Sequence, residues 1–272
     1  MHDELGKTDS GGTTMCELFA VSAPEPIRCN QLLKAFFSNG NAHPHGWGMA
    51  FFYGNAVSLE KEPRLSLKSD YLKQRLCFDI TADQMLAHIR LASKGVMSYE
   101  NTHPFVERDG RGRAWTLIHN GTIFECDALS PYVHTQKGQT DSERILLYLI
   151  DRINAAQDAK GAALSKEERF AVVEDVVAEI TIGNNKVNLI LYDGTLLYVH
   201  SNFQDSLHTC RKGNALIVST RPLDGDDWKV VPMNTLCAYR RGVLKYTGTD
   251  HGHEYFEDEE QLKYLYLDFA AL

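Results

Sequence analysis

The sequence predicts an α+β fold in which stacked sheets are flanked by helices. Three observations predict it. Strand-length apolar runs fill the first half, two well-capped helical stretches follow in the middle, and short strands resume from Lys186. With 272 residues, 43% hydrophobic and 24% charged, the chain can bury the core of one large domain or two small ones.

Residues 1–14 end in Asp9-Ser10-Gly11-Gly12-Thr13-Thr14, are polar and carry no periodicity. They are too polar for a signal peptide and read as a misassigned start, a pro-segment or an expression remnant, all of which predict disorder or removal. Residues 15–272 read as a single domain. Met15 to Ser22 is an apolar, buried strand punctuated afterwards by Pro24 and Pro26. Ile27 to Ser38 is an amphipathic helix with Leu32, Leu33, Phe36 and Phe37 on its apolar side, ended by Gly40-Asn41. Met49 to Tyr53 and Ala56 to Leu59 form a hairpin around Gly54-Asn55. Ser69 caps a short helix to Leu76.

Gln84 to Arg90 is a buried strand that opens into a long polar loop, Leu91 to Glu107. Loops of that length in a compact domain are usually functional or disordered. Trp115 to His119 is a strand ending at Asn120-Gly121. Thr140 and Asp141 cap a helix from Ser142 to about Ala156, and Ser165 caps another from Lys166 to Ile180, ended by Gly183. Short strands follow at 187–192, 196–200, 215–219, 235–239 and 243–246, with turns at Asp193-Gly194 and Arg241-Gly242. The tail from His253 to Leu272 begins acidic and ends apolar, which predicts that it docks on the body.

The net charge of -8 argues against a nucleic-acid surface, and no apolar run is long enough to span a bilayer. The six cysteines are scattered without a C-x-x-C pair or a secretory leader. That pattern predicts free thiols in a reducing cytoplasm and no zinc site.

Cys16 heads the first strand and directly follows Met15. If translation starts at Met15, or the leader is cleaved there, Cys16 carries a free α-amine beside its thiol. Such an amine titrates at about pH 8 and can serve as the thiol's base. The competing reading is an ordinary buried cysteine. Arg90 ends an apolar strand, where its guanidinium can grip a carboxylate with two hydrogen bonds or serve a structural ion pair. Asn120-Gly121 can supply oxyanion donors or form a hairpin turn. Asp141 is either a first-turn acid or a carboxylate aimed at an ammonium group. The loop Asn101-Thr102-His103-Pro104-Phe105 can shape a pocket wall. His43 and His45 are a weak metal pair, since Pro44 lies between them and no Cys or acid is nearby in sequence.

In order and type, these motifs resemble the class II glutamine amidotransferase domain of the N-terminal-nucleophile hydrolases. The resemblance runs from Met15 onward. It rests on Met15-Cys16 and the strand after it, Gly46-Trp47-Gly48, Arg90 with Ser93, Asn101 to Pro104, His119-Asn120-Gly121 and Thr140-Asp141-Ser142-Glu143. The segment Ser219-Thr220-Arg221-Pro222-Leu223, with Trp228, is similar to the stand-alone members. The resemblance implies a four-layer αββα sandwich of two mainly antiparallel sheets. It implies that Cys16 is the nucleophile with its α-amine as base, and that Asn120 and Gly121 form the oxyanion hole. Arg90, assisted by Ser93, would hold the α-carboxylate of a glutamine or γ-glutamyl group, and Asp141 its α-ammonium. Trp47, His103 and Phe105 would line a pocket for the leaving amine. Leu91 and Ser93-Lys94 depart from the family's usual residues after the arginine.

The implied chemistry is acyl transfer through a γ-glutamyl thioester, with no metal and no cofactor. Three functions follow from it. One is a stand-alone hydrolase of glutamine or γ-glutamyl amides. The second is a glutaminase subunit serving a separate synthase. The third is a non-catalytic module if residues 1–15 are retained.

Overall fold

The computed structural model describes residues 16–92, 95–258, 260 and 263. In chain order the first half contains β1 (Glu17–Arg28), α1 (Asn30–Ser38), β2 (Trp47–Tyr53), β3 (Ala56–Glu62), α2 (Asp70–Arg75), β4 (Thr81–Ile89), β5 (Phe105–Arg108) and β6 (Ala114–Thr122). Then come α3 (Asp141–Lys160), α4 (Lys166–Ile180), β7 (Lys186–Tyr192), β8 (Leu197–His200), β9 (His208–Lys212), β10 (Ala215–Ser219), β11 (Trp228–Val230), β12 (Cys237–Arg240) and β13 (Val243–Thr247).

The strands form two sheets. One has the order β11-β9-β10-β1-β4-β2-β3, the other β13-β12-β8-β7-β6-β5. Neighbouring strands run antiparallel, for example β1 with β4 and β6 with β7. The period-2 alternation of β1 explains the layering. Phe19 and Val21 face outward and pack with Leu33, Phe36 and Phe37 of α1. Leu18 and Ala20 face inward and pack with Ile118, Ile190 and Val199 of the other sheet. On the far side, Leu117, Leu189 and Leu191 pack under Ile145, Leu149 and Ile153 of α3 and Val173 and Val177 of α4. The result is the αββα sandwich. A strand buried on both faces reads as a continuous apolar run, as Leu18 to Val21 does.

Caps set the helices as their sequences predict. The hydroxyls of Ser69, Thr140 and Ser165 accept from the amides of Leu72, Glu143 and Glu168, and Ser165 with Glu168 completes a capping box. Arg241 and Gly242 turn β12 into β13 with φ of 50° and 75°.

Several boundaries differ from expectation. Pro24 and Pro26 do not end β1, which runs on to Arg28, so α1 starts at Asn30 rather than Ile27. The register of β1 against β4 shifts between Ser22 and Ile27, so both prolines fall where the ladder needs no N–H. Asn120-Gly121 is no turn. Both residues stay inside β6, opposite Asn188 and Val187. A Cβ on Gly121 would lie 1.9 Å from the Lys186 carbonyl oxygen, so glycine there permits close strand pairing. Helix α3 continues to Lys160, where Gly161 at φ 70° ends it. Strands β9 and β11 lack an apolar signature, being short and partly exposed.

The tail returns to the body at Tyr255, whose amide donates to the Asn202 carbonyl at 2.7 Å. The apolar residues expected to dock, Tyr264 to Leu267 and Phe269, lie outside the described residues. Among the described residues no helix is long and apolar enough to cross a membrane.

Candidate active site

Cys16 stands immediately before β1 at the edge of a cleft of about 350 Å3 that also takes in Asn120 and Lys186. Its Sγ is held by one residue. Leu91 N donates to the sulfur at 3.3 Å, and the thiol donates to the Leu91 carbonyl at 3.3 Å. Pairing of β1 with β4 places Glu17 opposite Ile89, so Leu91 arrives beside Cys16 as β4 ends. Burial pushes the thiol up to about 11, with the Leu91 backbone and the Arg90 charge acting the other way. A thiol so placed holds its proton at neutral pH and needs a base to become a nucleophile.

Arg90 is buried, and its guanidinium donates to the carbonyls of Gly95 at 3.0 Å and Val96 at 3.3 Å. Burial lowers its pKa, while the charges of Cys16 and Asp141 raise it. Three predicted residues therefore share one electrostatic neighbourhood. Asp141 opens α3, and its carboxylate accepts from Ile123 N at 2.9 Å and Ser142 N at 2.8 Å. It thus ties the end of β6 to the helix start, where an acid is also favoured by the helix dipole. Asn120 is buried beside Cys16, and its side-chain amide makes no hydrogen bond to the described residues, with Oδ1 fully enclosed.

His103 does not line the cleft, although the Arg90 charge acts on it. Its ring stacks on His88 with centroids 4.0 Å apart, and neither ring nitrogen has a hydrogen-bond partner among the described residues. Burial holds both rings neutral, with His88 lowered to about 3 and His103 well below the ordinary histidine value. Of the other expected wall residues, Phe105 packs edge-on against the His103 ring with centroids 4.5 Å apart, while Trp47 does not join them. Trp47 belongs to the core under α1, and Phe105 to the core under α3. Each follows the facing of its strand. Ser93, like residues 1–15, lies outside the described residues.

His43 and His45 do not converge on a metal site. His43 Nδ1 meets the Asn39 carbonyl at 3.0 Å, and His45 Nδ1 accepts from Ala92 N at 2.8 Å. Among the described residues no three His, Cys, Asp or Glu side chains cluster for a metal ion.

The residues that sequence reading missed are Glu17, Lys186 and Phe203, whereas Arg221 lies in the 219–223 segment already singled out, though without a role in the cleft. Glu17 is 1% exposed and bound by Thr220 and Arg221 beside the cleft. A lone acid inside an apolar strand was its signal. Lys186 begins β7 opposite Thr122, one residue beyond Gly121, and nothing in its sequence context set it apart. The arrangement presents a thiol and an unengaged amide in one cleft, with the charges of Arg90 and Asp141 acting on the thiol from outside it. Those are the parts that acyl transfer to a thiol requires.

Residues 15–214 match the family of class-II glutamine amidotransferases. The chain is 34% identical over 142 residues to the Escherichia coli protein YafJ, provisionally named a glutamine amidotransferase, covering 51% of this chain and 55% of that one. A Haemophilus influenzae protein of the same provisional name is 28% identical over 192 residues, covering 68% and 63%. The chain thus spans somewhat under two thirds of these two relatives. A Methanocaldococcus jannaschii protein is 26% identical over 261 residues, covering 86% and 71%.

Among solved structures, a predicted glutamine amidotransferase from Pseudomonas aeruginosa aligns with a TM-score of 0.57 at 22% identity, covering 84% of this chain and 99% of that one. The glutamine phosphoribosylpyrophosphate amidotransferase of Bacillus subtilis aligns at 0.59 and 15% identity, covering 85% and 48%. These two establish a shared fold. With the family match extending over residues 15–214, the chain belongs to the class-II glutamine amidotransferases.

Proposed function

We propose that this chain is an amidohydrolase that cleaves the γ-amide of glutamine or of a γ-glutamyl compound through a thioester on Cys16. The observation that carries the reading is the pairing of Cys16 with the unengaged Asn120 amide in one cleft. Residues 15–272 act as one glutamine amidotransferase domain, with Cys16 exposed as the N-terminal residue. Arg90, with Ser93, holds the glutamyl α-carboxylate and Asp141 the α-ammonium, while His103 backs the wall behind them.

The α-amine of Cys16 takes the thiol proton, and the thiolate forms a bond to the γ-carbon. The oxyanion is stabilised by Asn120 and the Gly121 N–H. The C–N bond then breaks as the ammonium of Cys16 returns its proton to the leaving amine. Water hydrolyses the thioester to glutamate and restores the thiol. A thiol lifted to about 11 supports the need for an adjacent base. The six free cysteines support a reducing, cytoplasmic setting.

The test is intact mass and N-terminal sequencing of native protein, alongside assay of ammonia from L-glutamine and amine from γ-glutamyl amides. A chain beginning at Cys16 that releases either product is expected. A chain that keeps residues 1–15 and turns over no γ-glutamyl amide overturns the reading.

A further inference from the structure

The cleft beside Cys16 is lined by Phe203, Asp205, Ser206 and Arg221 as well as Lys186, and neither Arg90 nor Asp141 lines it. If those two hold the glutamyl head, as proposed above, the cleft receives what lies beyond the scissile amide. Free ammonia would leave it empty. Its volume of about 350 Å3 is that of a small-molecule site.

The charges of the cleft are unevenly engaged. Arg221 is paired with Glu17 at 2.6 Å. Lys186 is only 2% exposed, and no carboxylate of the described residues lies within ion-pair distance of its Nζ. Instead the ammonium sits 4.0 Å from the Phe203 ring centroid and 5.7 Å from that of Tyr255. Glu257 acts on it only from farther away, and burial lowers its pKa to about 8, which leaves it mostly charged at neutral pH. Asp205 also lines the cleft but is exposed to solvent, so among the described residues the buried Lys186 has no counter-anion within ion-pair distance and favours an incoming carboxylate, because charge-assisted hydrogen bonds are strong where water is excluded.

We propose that Lys186 is a specificity-determining residue that binds the carboxylate of the leaving amine, so that the preferred substrates are γ-glutamyl amides of amino acids rather than glutamine. The inference rests on the hydrolase reading, and the test separates the two. Protein beginning at Cys16 is assayed with γ-glutamyl-alanine and with γ-glutamyl-ethylamide, which lacks the carboxylate. Binding of the same pair to the Cys16→Ala variant is measured by calorimetry.

The wild type is expected to favour γ-glutamyl-alanine by about tenfold or more in kcat/KM, and Lys186→Met to abolish that preference while leaving the ethylamide within about twofold. Equal handling of both compounds by the wild type, or equal losses on both in Lys186→Met, overturns the inference. The second result would mark Lys186 as merely structural. If Lys186→Met fails to fold, the wild-type pair alone decides. Selective binding of γ-glutamyl-alanine without turnover sustains the inference and removes the hydrolase reading. Binding of neither compound removes both.

Discussion

Glu17 and Arg221 are joined from opposite ends of the chain: the guanidinium Nε and Nη2 each lie 2.6 Å from the same carboxylate oxygen, Oε1. Thr220 donates to Oε2 and accepts from Leu18 N at 3.3 Å, and His43 Nε2 lies 3.8 Å from Oε1. Glu17, the residue after Cys16, is therefore fixed by the segment after β10. Arg221→Ala leaves a buried carboxylate without its main cation. Breaking a fully buried pair costs about 3–5 kcal/mol, but the Arg221 side chain is 54% exposed, so about 1–3 kcal/mol is expected. Chemical denaturation of wild type and variant measures it, and an unchanged midpoint would contradict the pair's structural role.

Cys16→Ala is expected to abolish amide hydrolysis while retaining the fold, since among the described residues the thiol's hydrogen bonds go to the Leu91 backbone alone. Asn120→Ala is expected to lower kcat by roughly 10²–10³, the usual loss for one oxyanion donor. Its side-chain amide supports no hydrogen bond among the described residues, so the melting temperature should change little. A kcat loss accompanied by equal loss of folded protein would refute a role confined to the transition state.

Gly121→Ala places a methyl group 1.9 Å from the Lys186 carbonyl oxygen and 2.5 Å from His119 Nε2. The Lys186 carbonyl is backbone and cannot yield without parting β6 from β7. Overpacking of this kind costs about 1–3 kcal/mol or more, and the shift would reach Asn120. Loss of both stability and activity is expected. Circular dichroism melts and steady-state assays on one preparation check the pairing of the two effects.

Acid should destabilise the fold below about pH 6.5. His88 and His200 are buried and neutral, each lowered to about 3. The unfolded chain protonates its histidines near pH 6.5, so between the two values the unfolded state binds more protons and stability falls as pH falls. At pH 5 each of the two histidines accounts for about 2 kcal/mol of that loss. Urea denaturation at pH 7 and pH 5 reads it directly. Replacing His88 by Gln should flatten the dependence, and an unchanged slope would argue against its burial as the cause.

Much of this molecule was legible in one dimension. The apolar run after Cys16, the caps at Thr140 and Ser165 and the glycine turn at Arg241-Gly242 are local signals. They record short-range hydrogen bonding and backbone freedom, which neighbouring residues decide. Stacked sheets flanked by helices also followed from the order of strands, helices and strands, and the resemblance to the family implied the four αββα layers. Boundaries were lost where pairing overrode local preference. Two prolines sat in a register shift of β1, and an Asn-Gly pair was drawn straight by the strand facing it.

The candidate site divides in the same way. Sequence by itself determined the family, and it singled out Cys16, Asn120, Arg90 and Asp141 as the residues to look for, because spaced motifs survive in one dimension. Only the tertiary structure decided that Glu17 is locked by Arg221, that Trp47 and Phe105 face the two outer cores, and that Lys186 lines the Cys16 cleft with no carboxylate of the described residues in ion-pair reach. Those outcomes depend on which strands lie side by side and which face each side chain takes. Both are settled by contacts between residues far apart in the chain, and no local pattern encodes them.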